Sequence, residues 1–319
     1  MEQDMLYIYQ VYKDKSFSKA AEALYMSQPA LSLAVKRVET ALGAELFDRS
    51  HHPLCLTHAG ELYLETIRKI QLLEDTLSRQ ITDLRQLNTG TLRIGGTHFL
   101  NCYVLAPILA AFSRRYPGIE IQITECASNQ LVQILKQQEL DVILNCDPSL
   151  TKQFQHRPAF SDHILLSVPK SFPLPDACKA AAFTAEDIIC KRHLSPSAPS
   201  VSLDQFRDLD FILLMPGNNL YQRAMQMFSA SGFSPKVCMS LSQLVTAYLF
   251  SAQGIGCSFI SDFLVEHSEP NLLFFNLDSP DTERTFHVLM PNRSYTPAAV
   301  NAFVTFAGEM HWGTARITR

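Results

Sequence analysis

The sequence predicts an α/β protein built in more than one part: a winged helix-turn-helix at the N-terminus, then a two-lobed α/β body. Three observations carry this. Short amphipathic segments with capping residues fill the first 47 positions, an unbroken apolar-periodic segment follows to about residue 87, and beyond residue 90 short strand-like and helix-like segments alternate. A chain of 319 residues also exceeds what one compact core usually holds.

Residues 4–47 read as three helices. In the first, Met5, Ile8, Val11 and Tyr12 recur at helical spacing, and Lys13-Asp14-Lys15 closes the segment. Phe17 packs inward ahead of the second helix, which Ser18 is expected to cap, and the pair Ala20-Ala21 lets another helix approach closely. Ser27 caps the third helix, with Pro29 in its first turn, where a missing N–H costs nothing. That helix runs to Gly43 and is expected to bury Leu31, Val35, Val38 and Leu42; its other face carries Gln28, Ser32, Lys36 and Arg37. Between Leu46 and Thr57 the pattern turns short and extended around Pro53 and the polar tip Arg49-Ser50-His51-His52, as in a two-stranded wing. Thr57 caps a long helix in which Leu62, Ile67, Ile70, Leu73, Leu77, Ile81, Leu84 and Leu87 repeat every three to five residues. Such a helix spans roughly 40 to 45 Å. A small winged domain cannot bury all of it, so it needs a partner helix, most simply its own copy.

After Asn88-Thr89-Gly90, segments 91–95, 119–124 and 141–144 read as strands, with helices at 104–116 and 130–138 between them. This βαβαβ order predicts a parallel sheet. A second series follows: strands at 164–168, 211–214, 236–239 and 255–260, with helical segments at 203–207, 220–231 and 243–252. A strand at 285–290 and a helix at 298–312 are expected to return to the first sheet, which divides the body into lobe I, about 90–162 and 267–319, and lobe II, about 163–266. The stretch 169–199, rich in Pro, Ala and Ser, shows no clear period. Thr97, Ser128, Cys146, Ser202 and Asn218 follow strands or open helices, where free N–H groups and short polar side chains converge on the cleft between lobes. That lining suits a small polar or anionic ligand. No Lys or Arg is evidently placed to meet a carboxylate, so helix N-termini and hydroxyls are expected to supply the binding.

Composition excludes more than it identifies. The formal net charge of −4 gives no electrostatic hint of a nucleic-acid partner, and within the first 60 residues Lys and Arg do not outnumber Asp and Glu. The eight cysteines are scattered without a C-x-x-C pair, which fits a reducing cytoplasm. The N-terminus lacks the pattern of an export signal, and no apolar run is long enough for a membrane span. Nucleophile-elbow, P-loop, H-E-x-x-H and G-x-G-x-x-G patterns are all absent, so neither an enzyme nor a cofactor is expected. Cys190-x-x-His193 reads as an isolated pair of loop residues, Cys102 and Cys146 as packing residues, and no metal site is expected.

Ser16-Phe-Ser-Lys-Ala-Ala-Glu-Ala-Leu24, Ser27-Gln-Pro-Ala-Leu-Ser32, Val38-Glu-x-x-Leu-Gly43, Leu46-Phe-x-Arg49 and Leu56-Thr-x-Ala-Gly60 follow one another at fixed spacing. This resembles the signature of the LysR-type transcription regulators. Pro117-Gly118, Ser128, Leu140-Asp141, Gly232-Phe233-x-Pro235 and Gly254-Ile-Gly256 look like landmarks of that family's periplasmic-binding-protein-like effector domain. The resemblance implies a DNA-binding domain over 1–58, a dimerisation helix over 59–89 and an effector domain over 90–319. It implies a sequence-specific regulator that binds double-stranded promoter DNA, responds to a small-molecule effector and pairs with itself as a dimer or tetramer. Ser27, Gln28, Pro29, Ser32, Lys36, Arg37, Arg49 and His52 would form the DNA face, with Gln28 and Ser32 reading bases and the cations gripping phosphates. The family often has Gly where Lys15 stands and a basic residue where His52 stands. The alternative, a solute-binding receptor without DNA binding, would account for residues 91–319 and leave the winged segment unexplained.

Overall fold

The computed structural model describes residues 3–50, 53–84 and 89–310, and the chain divides into two compact units, residues 1–86 and 87–319. His51, His52, Leu87 and the end of the 298–312 helix lie outside the described residues. No described helix is long and apolar enough to cross a membrane.

In the first unit, α1 (Gln3–Asp14), α2 (Phe17–Ala23) and α3 (Gln28–Leu42) pack around Ile8, Val11, Ala20, Leu31 and Val35. Helix α2 starts two residues earlier than expected. Ser16 is its cap, extended at φ −161° with its Oγ accepting the Lys19 N–H at 3.4 Å, because Phe17 is already helical and Ser18 lies inside the first turn. Just before it, Lys15 sits at φ 50°, a left-handed conformation that suits the glycine common there in the resembling family. Tyr25, at φ 54°, makes the tight turn into α3. Helix α3 ends at Gly43, whose φ of 68° provides the left-handed cap.

The buried face of α3 differs from the apolar pattern. Leu31, Ala34, Val35 and Glu39 are buried, Val38 is only half-buried and Leu42 is exposed. Glu39 is stable there because both carboxylate oxygens are used: Oε1 accepts the Leu46 N–H at 2.9 Å and Oε2 receives Arg49 Nη2 at 3.1 Å. Strands β1 (Phe47–Asp48) and β2 (Cys55–Leu56) pair antiparallel as the wing. Thr57 Oγ1 then accepts the Gly60 N–H at 3.0 Å and caps α4 (His58–Leu84). Gly60 is required by close approach, since a Cβ there would lie 2.0 Å from the Leu46 carbonyl oxygen. The 27 residues of α4 span roughly 40 Å. Leu62, Leu73, Leu77, Ile81 and Leu84 are exposed along it.

The second unit begins with β3 (Gly90–Gly96), α5 (His98–Leu100), a π-helical turn at Asn101–Leu105 and α6 (Ala106–Arg115). It continues with β4 (Ile119–Glu125), α7 (Ser128–Lys136), β5 (Val142–Asn145) and the 15-residue β6 (Gln155–Pro169). Two short helices, α8 (Asp176–Ala180) and α9 (Ala185–Ile189), occupy the stretch that showed no period. Then come β7 (Ser200–Val201), β8 (Asp210–Leu214), α10 (Asn219–Ala230), β9 (Lys236–Leu241), α11 (Leu244–Ala252) and β10 (Cys257–Ser261). Strands β11 (Leu272–Leu277) and β12 (Glu283–Met290) lead to α12 (Ala298–Glu309).

Two parallel modules result, β4-β3-β5 and β9-β8-β10, as the alternating pattern implied. Antiparallel strands join them: the first half of β6 pairs with β12, and its second half with β10 and β11. Besides α8, α9 and the two-residue β7, two strand segments went unread in the sequence. The half of β6 before Ile164 is polar and contains Pro158, and β11 is apolar apart from Asn276 and shows no alternation. Because β11 pairs with β6 and β7, it belongs to lobe II, so the return to lobe I falls after Leu277 and not near residue 267. From there β12 pairs with β5, and Phe303 of α12 packs edge-on against Phe112 of α6, so the tail does return to the first sheet.

Candidate functional site

Two sets of polar side chains stand out, one in each unit. In the first unit, Ser27 Oγ accepts the Ala30 N–H at 3.4 Å and fixes the start of α3, with Pro29 in the first turn. Gln28 is exposed, and its Nε2 donates to Ser32 Oγ at 3.3 Å. Residues 28, 32 and 36 stand one above another on successive turns, and Lys36 and Arg37 are exposed beside them. Arg49 is more constrained than its position in the sequence suggests. It pairs with Glu39, and its guanidinium lies over the Phe17 ring, 5.2 Å from the centroid. Half of its side chain remains exposed.

In the second unit a cavity of about 220 Å³ opens between the parallel modules. Thr97, Ser128, Cys146 and Asn218 all line it; Ser202 does not. Ser202 follows β7, which lies beyond β11 at the opposite edge of lobe II from β8 and β9, and it precedes a short helical turn there without a side-chain capping bond. The N-terminal ends of α7, α10 and α11 face the cavity through Ser128, Asn219 and Leu244, so their free N–H groups and positive helix ends favour negative charge. Thr97 precedes α5 with extended backbone and makes no capping bond through its hydroxyl. Asn218 Oδ1 accepts the Leu220 N–H at 3.1 Å. Cys146 is buried, its Sγ donates to Asn219 Oδ1 at 3.1 Å, and burial pushes its thiol pKa up, so it stays protonated at neutral pH.

Sequence reasoning missed His98, Glu125, Asn219, Ser242, Gln243 and Arg284 in this lining. The rule that found Asn218 would have found Ser242 and Gln243 had β9 been read to its full length, which reaches Leu241. Glu125 is already engaged: Asn101 Nδ2 donates to it at 2.9 Å and His98 Nδ1 lies 3.4 Å away. Arg284 corrects the expectation that no cation reaches the site. No local pattern marks it, because its partner Asp162 lies across an antiparallel pair and 122 positions away. His193, expected in a loop, is instead buried with Nε2 3.2 Å from Asp262 Oδ2. Among the described residues no group of three or more His, Cys, Asp or Glu is placed to hold a metal ion.

Residues 3–61 match the model of the bacterial regulatory helix-turn-helix protein, lysR family, and residues 85–312 match the LysR substrate binding domain. The uncharacterized HTH-type transcriptional regulator YcgK of Bacillus subtilis is 28% identical over 307 residues, covering 96% of this chain and 93% of that protein. A probable RuBisCO transcriptional regulator of Cyanidioschyzon merolae is 30% identical over 196 residues, 60% of this chain and 64% of its own. Among solved structures, full-length CbnR complexed with its target DNA shares the fold with a TM-score of 0.63 at 17% identity, covering 97% of this chain and 99% of that one. HinK of Pseudomonas aeruginosa, a LysR family regulator, aligns with a TM-score of 0.54 at 20% identity over 97% of this chain and 98% of its own. The chain therefore belongs to the LysR family, as a DNA-binding transcription regulator that carries a small-molecule effector domain.

Proposed function

We propose that this regulator reads promoter DNA through the first turns of α3 and takes its effector in the cavity between the two lobes of the second unit. The observation that carries the cavity assignment is convergence: Thr97, Ser128, Cys146 and Asn218, from four separate segments, line one cavity. Its volume has room for on the order of seven water molecules, which limits an occupant to a small metabolite. The open hydroxyls and helix N-termini favour a polar or anionic molecule. On the DNA side, Ser27 and Pro29 fix the helix start, the exposed Gln28 and its neighbour Ser32 would meet base edges, and the exposed Lys36, Arg37 and Arg49 would meet phosphates; His52, assigned to the same face from the sequence, lies outside the described residues. The apolar stripe on α4 supports self-association, as a dimer and, through the second unit, a tetramer. Its place of work is the cytoplasm, where promoter DNA is.

The test is a thermal-shift screen of the full-length protein against small metabolites, repeated on Thr97→Val. That substitution removes the hydroxyl with little change in shape. A metabolite that stabilises the parent protein should lose its effect on Thr97→Val and on Ser128→Ala. If both variants respond like the parent, the effector site lies elsewhere.

A further inference from the structure

We propose that Arg284 is the anion-recognising group of the cavity, and that its ligand class is a small carboxylate or comparable oxyanion. This rests on the cleft reading above and goes beyond it by assigning a charged contact and a ligand chemistry.

Arg284 is buried, 4% exposed, yet it lines the cavity. Two of its three guanidinium nitrogens are taken by Asp162: Nε donates to Oδ1 at 2.8 Å and Nη2 donates to Oδ2. Among the described residues the hydrogen bonds of Arg284 run from Nε and Nη2 alone, which leaves the third nitrogen, Nη1, open at the cavity. A guanidinium left with one open edge inside a protein asks for an acceptor. The group is also held rigid. Its carbon lies 5.1 Å from the centroid of Phe286, which stacks on Phe160 at 4.7 Å, while Asp162 is fixed by Ser261 Oγ at 2.5 Å. A ligand meeting Arg284 therefore loses little to reorganisation.

The surroundings agree on the sign of the ligand. Asn219 Oδ1 already accepts from Cys146 and from Arg223 Nε, which leaves its Nδ2 as a donor at the cavity wall. Thr97 and Ser128 present hydroxyls with no hydrogen bond assigned among the described residues. Glu125, the acid in the lining, is held by Asn101 and His98. The Asp162 charge is met by Arg284 itself, so the open groups of the lining include donors from Arg284, Asn219, Thr97 and Ser128, beneath the positive ends of α10 and α11. Arg284 and Asp162 also pair β12 with β6, the strands that join the lobes, so a ligand on Nη1 pulls on the connection between them.

The experiment titrates full-length protein at constant ionic strength with acetate, succinate and sulfate, and with acetamide and succinamide as uncharged counterparts, reading the thermal midpoint and Kd. Two variants are compared: Arg284→Lys, which keeps the ion pair and removes the fork, and the double variant Asp162→Asn with Arg284→Gln, which removes both charges together. The expected result is saturable stabilisation by one or more anions and none by the amides, with Kd weakened about tenfold or more in both folded variants. Anion binding undiminished in the folded double variant, equal stabilisation by the amides, or no anion binding by the parent protein would overturn the proposal. Thr97→Val separates the two readings: if it weakens anion binding while the Arg284 variants do not, only the Arg284 assignment fails. Where neither set of changes matters, the cleft reading fails with it.

Discussion

Gln28, the residue proposed to read bases, is exposed on the first turn of a helix whose start is fixed by Ser27 and Pro29. Gln28→Ala should lower discrimination between specific and random DNA by about 1 to 3 kcal/mol, measured as a ratio of binding constants at one salt concentration. An equal loss on both DNAs would assign Gln28 to the backbone. Arg49 should behave differently, because its partner Glu39 is buried and also accepts the Leu46 N–H. Arg49→Ala should weaken binding to all sequences and also lower the unfolding midpoint, since a buried carboxylate loses its counter-charge. Lys15, at φ 50°, carries a backbone cost, and Lys15→Gly should raise stability by about 1 kcal/mol in denaturant unfolding. At this scale legibility was uneven. The α3 caps and Thr57 were readable because a cap is a local arrangement of neighbours. Glu39 and Arg284 were not, since a buried charge is made acceptable by partners distant in the chain, and periodicity treats it as solvent-facing.

Among the elements, α4 is the one whose surface is hardest to explain in a single chain. Leu73 is 69% exposed and Leu77 is 58% exposed, on a helix far longer than its own unit can cover. Replacing both with Glu should dissociate the assembly, seen by sedimentation velocity as a shift toward the monomer, while far-ultraviolet circular dichroism of the winged unit persists. A double variant that sediments like the parent would move the interface off α4. Near the start of the same helix, Gly60→Ala should destabilise the first unit, because its Cβ would strike the Leu46 carbonyl, and neither backbone can yield without shifting the wing. The helices and parallel strands were legible through their periods and caps. Strand β6 was only half legible, since its polar first half forms through pairing with β12, a long-range contact that no local pattern announces. Strand β11 is largely buried and apolar apart from Asn276, and a short run of that kind reads equally as loop, helix or strand.

At the scale of the whole chain, the order of texture along the sequence described the organisation well: capped helices and wing, one long helix, then alternating strands and helices. The cavity was legible in outline because topology dictates where a doubly wound sheet collects polar side chains, and four of five expected lining residues meet there. Ser202 lies away from the cavity for a topological reason too. Its strand lies at the far edge of the sheet, a placement fixed only once β11 is known to separate β7 from β6. The central claim is that this chain recognises particular DNA sequences through α3. The most direct measurement incubates the purified full-length protein with sheared fragments of its own genome and sequences what is retained. Retained fragments are expected to share a motif of two half-sites, with enrichment reduced for Gln28→Ala. Retained DNA indistinguishable in sequence from the input would contradict it.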